Sequence, residues 1–174
     1  EYDVSRSGGL HEIDPTEIFD CVKKVIARLN IYDLAAITVT SFGETFVMLD
    51  ADDKPCAPSM LYTDPRGAEE CRLLCEALGE EHISALTGTR PHPMYSISKI
   101  MWLKNNLPDA FKRAKHILLG EDYIVYLLTG RAQIDYSLAA RKGAFDIRNK
   151  CWCEEIFKAA GVDISLMSKP VTAG

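Results

Sequence analysis

Along the chain, apolar residues fall into two rhythms. Over 14–30, "DPTEIFDCVKKVIARLN", Ile18, Phe19, Val22, Val25, Ile26 and Leu29 recur at three- and four-residue intervals, the spacing that gathers side chains on one helix face. Asp14 is a capping residue, Pro15 suits the first helical position and Glu17 completes a capping box, so the pattern predicts a helix with one buried face. "AAITVTS", a short apolar run rich in β-branched residues, predicts a buried strand. In "TSFGETFVMLD", 40–50, the rhythm becomes alternation: Phe42, Phe46, Met48 and Val47 are available for burial, and Glu44 stands among them beside Gly43. The pleat either turns that carboxylate to solvent or keeps it at a strand end for a ligand, and the alternation leaves both open.

Further along, "ADDKPCA" carries turn chemistry between "TFVMLD" and "PSMLYTD", which predicts an antiparallel hairpin over 45–63. "GAEECRLLCEALG" reads as a helix stopped by Gly79, and "EEHISALTG" as a second, shorter one. "SISKIMWLKNNLPDAFKRA" divides into two helices because Pro108 disfavours a helical Leu107. "HILL" is a strand, and "GEDYIVYLLTG" a helix with acids in its first turn and Gly130 beyond its end. "GAFDI" is a strand, "CWCEEIFKAAG" the last helix, and "SKPVTAG" a loop-like tail. The sum is a mixed α/β fold with more helix than strand, one lobe over 1–174, with neither an internal repeat nor a low-complexity linker. The opening "EYDVSRSGGLHEIDP" offers no evident first strand, so we expect a piece of a longer protein.

Composition narrows the function classes. Of 174 residues, 47% are hydrophobic and 26% charged, a soluble globular balance. No apolar run approaches the roughly 18 residues of a membrane helix and no basic leader precedes one, so the expectation is a cytoplasmic protein without a membrane partner. A net charge of −5 without a Lys/Arg cluster argues against nucleic acid and leaves small molecules or proteins as partners. Cys71 and Cys75 lie one helical turn apart, and Cys151 and Cys153 are separated by one residue, but the two-residue knuckles of structural zinc sites are missing. With Cys21 and Cys56 they read as free thiols, and no metal site is expected. His11, His82, His92 and His116 lack ligand spacing, no Gly-x-Ser-x-Gly elbow is present, and "SGGL" lacks the ending of a phosphate loop.

Two stretches carry candidate chemistry. "LYTDPRG" sets Tyr62, Asp64 and Arg66 at alternate positions where a strand leaves the sheet, which is where α/β proteins meet ligands. The plainer reading is that Asp64 caps the next helix and Arg66 pairs on the surface. "RPHPMYS", 90–96, is a rigid connector or a wall that holds Met94 and Tyr95 against a ligand. Together with Glu44, Tyr62, Asp64 and Arg66 would make a polar pocket with one aromatic wall, suited to a polyhydroxylated ligand.

In order, "EIDP", "ITVTSFGET" with "VMLDADDKP", "SMLYTDPRG", "LTGTRPHPMYSISKIMWLKNNLPDAF", "GEDYIVYLLTGRAQIDYS" and "CWCEEIFKAAGV" resemble the N-terminal lobe of the FGGY carbohydrate kinases, a family that includes xylulose, gluconate and glycerol kinases. The resemblance covers nearly the whole chain and is most specific at "KIMWLKNNLPDAF" and "DYIVYLLTGRAQIDYS". It implies an actin/hexokinase-type protein of two ribonuclease H-like lobes, this one a mixed sheet with an antiparallel hairpin flanked by helices. It also implies transfer of the ATP γ-phosphate to a hydroxyl of a sugar or polyol. ATP and Mg²⁺ would be held mainly by segments outside this chain, so the fragment alone is expected to be inactive. A homodimer of the full-length protein is a further expectation.

By position the resemblance assigns Glu44 to substrate hydroxyls and Tyr62 to the pocket wall and matches Asp64 and Arg66 to a W-x-D-x-R segment; Glu44, Tyr62 and Asp64, together with Gly43 and Tyr95, are the expected substrate-binding set. Three departures stand out: Gly43 where relatives often carry Arg, Gln or Met, Tyr62 for Trp, and Ala139, Ala140, Arg141, Lys142 for an Ala-Ser-x-Thr pattern. A non-catalytic sugar-binding or regulatory module that keeps the lobe is the alternative class.

Overall fold

In the computed structural model, which describes residues 4–29, 33–41 and 43–173, two short strands come first, β1 (Val4–Ser5) and β2 (Glu12–Ile13), paired antiparallel. Helix α1 (Pro15–Leu29) follows, its first turn fixed by Asp14, whose Oδ1 accepts the Thr16 N–H at 2.8 Å. The predicted helix therefore forms, apart from Asn30, which lies outside the described residues. Its apolar stripe is only half covered, however, with Val25 and Leu29 exposed.

The strand expected at 35–41 is not formed. Ile37 is exposed, although Val39 packs against the buried cluster formed by Val47, Leu49, Leu118, Tyr123 and Ile124. β-branched residues favour an extended backbone, but a strand also needs a neighbour to take up its N–H and C=O groups, and no described strand pairs with this segment. Phe42 lies outside the described residues.

β3 (Phe46–Leu49) is wholly buried and ends in a tight turn, where Asp50 N–H donates to the Lys54 carbonyl at 2.9 Å and the Asp50 carboxylate takes the N–H groups of Asp52 and Lys54. The returning chain makes one antiparallel bridge, Leu49 with Pro55, and one bond from Cys56 N–H to the Met48 carbonyl. It then leaves: β4 (Ser59–Met60) pairs with β2, Met60 opposite Glu12. The hairpin expected over 45–63 is thus reduced to its turn and first bridge. Pro55 and Pro58 explain this, since neither has an N–H to extend the ladder.

Helices α2 (Ala68–Leu78) and α3 (Glu80–Thr87) meet at Gly79, α4 (Ser96–Asn106) and α5 (Pro108–Arg113) at Leu107, as their caps and breakers predict. Gly67, at φ +94°, precedes α2; a Cβ there would lie 3.0 Å from the backbone of Ser98 and Lys99, so only glycine lets α4 approach this closely. β5 (His116–Leu119) pairs antiparallel with β3 along its whole length, Phe46 opposite Leu119 and Leu49 opposite His116. Ile117 also forms a parallel bridge to Met167.

After α6 (Gly120–Thr129) come β6 (Gln133–Asp135), α7 (Tyr136–Ala140), β7 (Phe145–Asp146), β8 (Cys151–Trp152), α8 (Glu154–Ala160) and β9 (Lys169–Val171). β9 pairs parallel with β6, so the tail expected to be loop-like contains a strand. Pro170 hid it, although a strand paired on one side only tolerates the missing donor.

Phe46, Met48, Leu103, Ile117, Phe145 and Ile156 anchor the core, with Trp152 edge-on to both Phe145 and Phe157 at 5.6 and 5.8 Å. Two charges are sealed beside it. Lys142 Nζ donates to the Ile117 carbonyl at 2.9 Å, and Asp122 Oδ2 accepts from the Ser168 hydroxyl. Burial pushes Lys142 down to about 8 and Asp122 up to about 6, each shift offset in part by the other's charge. Among the described residues no helix is long and apolar enough to cross a membrane.

Candidate functional site

Glu44 stands immediately before β3, and its backbone is tied to the start of α4, where the Ser96 hydroxyl donates to the Glu44 carbonyl at 2.9 Å. The residue is 3% exposed. Its Oε1 is paired with Nη2 of Arg141, just beyond α7, and the Arg141 guanidinium lies 5.3 Å from the centroid of the buried Tyr95 ring. Oε1 is thus a buried acceptor held directly against a guanidinium cation.

Tyr62, 45% exposed, shares with Glu44 and Arg141 a concavity of about 480 Å³ whose wall also includes Arg6, Thr63 and Met94. Among the residues singled out from the sequence, Glu44 and Tyr62 line it directly. Tyr95 stands behind Arg141, and Gly43 lies against the stem of Arg141.

Asp64 is turned the other way. Its side chain is fully buried; Oδ2 accepts from the His11 N–H at 2.8 Å and from Arg66 Nη2 at 2.6 Å, while Oδ1 accepts from Arg66 N–H and Nε. Arg66 bonds Glu12 as well, at 2.6 Å, and lies 5.0 Å from the centroid of the Trp102 ring. From α4, the buried Lys99 donates to the carbonyls of Asp64 and Arg66. Burial raises the Asp64 carboxyl, but the bonds from Arg66 and His11 outweigh it and hold the group below the usual carboxylate range. Burial brings Lys99 down to about 8. The plainer expectation for this segment is therefore corrected: α2 is preceded by Gly67 without a side-chain cap, and Arg66 is an interior residue, because a buried guanidinium finds two carboxylates and an aromatic face here.

A second polar pair lies at Glu121 and Asp135. Burial, and then the charge of Asp135, raise Glu121 to about 7, and Glu121 Oε2 is buried without a hydrogen-bond partner. Asp135 caps α7, accepting from Ser137 N–H at 2.7 Å. The cysteines are all free thiols, and burial raises those of Cys56, Cys71 and Cys153, which removes thiolate character.

Sequence reasoning missed Arg6 and Thr63 as lining residues and noted Arg141 only as a departure. The signal for Arg141 was available in principle as a glycine opposite a bulky residue, but the two are far apart in the chain.

Residues 3–174 match the profile of the FGGY family of carbohydrate kinases, N-terminal domain. The chain is 33% identical over 130 residues to the xylulose kinase of Lactococcus lactis subsp. lactis, covering 75% of this chain and 26% of that protein. It is 30% identical over 164 residues to the gluconokinase of Bacillus subtilis, covering 92% and 32%. The solved gluconate kinase from Lactobacillus acidophilus superposes with a TM-score of 0.87 at 25% identity, covering 98% of this chain and 35% of that one. The chain thus spans about a third of the length of the proteins it matches.

Proposed function

Since this chain belongs to the FGGY family of carbohydrate kinases, whose N-terminal domain it matches over residues 3–174, we propose that it is the acceptor-binding lobe of an ATP-dependent sugar or polyol kinase. We assign it the ribonuclease H-like, actin/hexokinase-type lobe fold, a reading supported by its mixed ladders with helices packed around them. The observation that carries the functional reading is Glu44, a carboxylate buried at the edge of β3 inside a concavity that it shares with Tyr62.

An ionised carboxylate has about four acceptor sites, so Glu44, ion-paired with Arg141 at Oε1, keeps capacity for a substrate hydroxyl, and an analogue lacking that hydroxyl would forfeit the bond. Tyr62 supplies a flat wall for the apolar face of the acceptor. Tyr95 acts through Arg141, and Gly43 by leaving room. Asp64 shapes the site by holding the 61–66 segment, with its own carboxylate committed to Arg66 and His11. Phosphoryl transfer depends on positioning, and fixing an acceptor hydroxyl is the contribution such a lobe makes.

Among the described residues no group of three or more His, Cys, Asp or Glu is placed to hold a cation. ATP and Mg²⁺ are proposed to be held chiefly by other segments of the full-length protein, and no step is derived through them.

The test is ADP release by the full-length protein against a panel of ketoses, polyols and aldonates. Turnover of at least one acceptor is expected, and Glu44→Ala is expected to lower kcat/KM on the best acceptor at least tenfold, about 1.4 kcal/mol. An unchanged Glu44→Ala enzyme would remove Glu44 from the site. Sugar binding without ADP release by the wild-type protein would favour the non-catalytic module.

A further inference from the structure

Gly43 has no conformational reason to be glycine, since its φ is not among the positive ones. What it provides is room. A Cβ at position 43 would lie 2.5 Å from both Cβ and Cγ of Arg141 and 3.2 Å from Cδ2 of Leu138. The Arg141 Cβ is fixed by its own backbone, so no change of rotamer relieves that contact. The Cβ and Cγ of Arg141 therefore occupy the space that a side chain at 43 would fill, and from there its guanidinium lies against Glu44 and over Tyr95.

The Arg141 side chain is 40% exposed, and a guanidinium has five N–H donors, of which Nη2 faces Glu44. Arg141 itself lines the concavity, so donors beyond Nη2 are available to a molecule bound there. Arg6 lines the same wall and has no ion-pair partner among the described residues. Among the described lining residues, Arg6 and Arg141 stand against the single carboxylate of Glu44, a surplus of one positive charge. A neutral polyol gives that surplus no counter-charge. An acceptor with a terminal carboxylate does, because the planar fork of arginine matches two carboxylate oxygens at once.

Resting on the kinase reading above, we propose that Arg141 is the specificity-determining residue of this site, that it selects a polyhydroxy acid of the aldonate class, and that Gly43 is the positioning residue that admits it. Glu44 then meets a hydroxyl of the acceptor while Arg141 meets its carboxylate.

The experiment measures kcat/KM of the full-length protein for C5 and C6 aldonates, the alditols of matching configuration and the corresponding ketoses. The wild-type protein is expected to favour its best aldonate over the best neutral acceptor by about tenfold or more. Arg141→Gln is expected to cost roughly thirtyfold on the aldonate and less than about threefold on the neutral acceptor. Arg141→Lys should recover part of the loss, since the charge remains while the fork is gone. Gly43→Ala keeps every charge and should shift the acceptor ratio in the same direction as Arg141→Gln, because its methyl displaces Arg141. Equal or better use of a neutral acceptor by the wild type, a parallel loss on both acceptors in Arg141→Gln, or an unchanged ratio in Gly43→Ala would overturn the proposal while leaving the kinase reading intact. Absence of turnover with every acceptor would overturn both.

Discussion

Arg66 holds Asp64 from three directions, giving its backbone N–H and Nε to one carboxylate oxygen and Nη2 to the other, while the His11 N–H completes the second oxygen. This closes the 61–66 segment on itself and joins it to the strand pair β1–β2. Asp64→Ala leaves a buried guanidinium with Glu12 alone, and a loss on the order of 3 kcal/mol in unfolding free energy is expected from urea titration. The folded pKa of Asp64 is depressed, so its contribution is present above the ordinary carboxylate pKa and is lost as pH falls through the lower folded value. At a temperature where both variants are folded, kcat/KM should fall less than in Glu44→Ala.

Lys142 and Asp122 make a different pH signature. Lys142 has a folded pKa of about 8, below its ordinary value, so folding expels its proton between those limits and stability rises with pH there. Asp122, at about 6, is raised, so folding takes up a proton and stability falls as pH climbs toward that value. The pair therefore contributes least between about 6 and about 8, where both groups are charged. Lys142→Met should cost roughly 3 kcal/mol at pH 7 and less at pH 5, whereas Lys142→Met with Asp122→Asn should return within about 1 kcal/mol of wild type. Equilibrium unfolding at the two pH values checks both.

Glu121, raised to about 7 beside Asp135, stabilises the fold in its protonated form, and its contribution declines as pH rises from the ordinary glutamate value through about 7. Glu121→Gln should raise the Tm relative to wild type at pH 8 and leave it unchanged at pH 5. Thermal unfolding at those two conditions is sufficient.

Two left-handed glycines separate backbone strain from crowding. Gly130, at φ +72°, has nothing within 4 Å of the place an alanine methyl would take, whereas Gly67, at φ +94°, has the Ser98–Lys99 backbone at 3.0 Å. Gly130→Ala should cost about 1 kcal/mol from conformation alone, and Gly67→Ala distinctly more, about 2 to 4 kcal/mol, because α4 has to move. Urea titration of the two variants side by side measures the difference.

The parts of the fold that were legible are those written locally. Gly79, Gly130 and Pro108 stop or separate helices through their own backbone chemistry: α2 ends before Gly79, α6 before Gly130, and α4 and α5 part at Leu107, before Pro108. The ladders were less legible because pairing is a property of two segments: "AAITVTS" has strand composition but no described partner, while Lys169–Val171 has an unpromising proline and finds β6. The candidate site divides in the same way. Glu44 and Tyr62 follow from strand-end position, but the inward turn of Asp64 depends on Arg66, Glu12 and His11 meeting it, and the path of Arg141 depends on an empty volume at Gly43.

Ile117 is held from three sides, by Met48 across the antiparallel ladder, by Met167 through a parallel bridge and by Lys142 on its carbonyl. Segments from the first and last thirds of the chain are thus fastened to one residue, so neither can detach without disturbing the other. In deuterated solvent the amides of this strand should exchange only through global opening, well after those of the half-covered α1, and the lobe should come apart from its periphery inward.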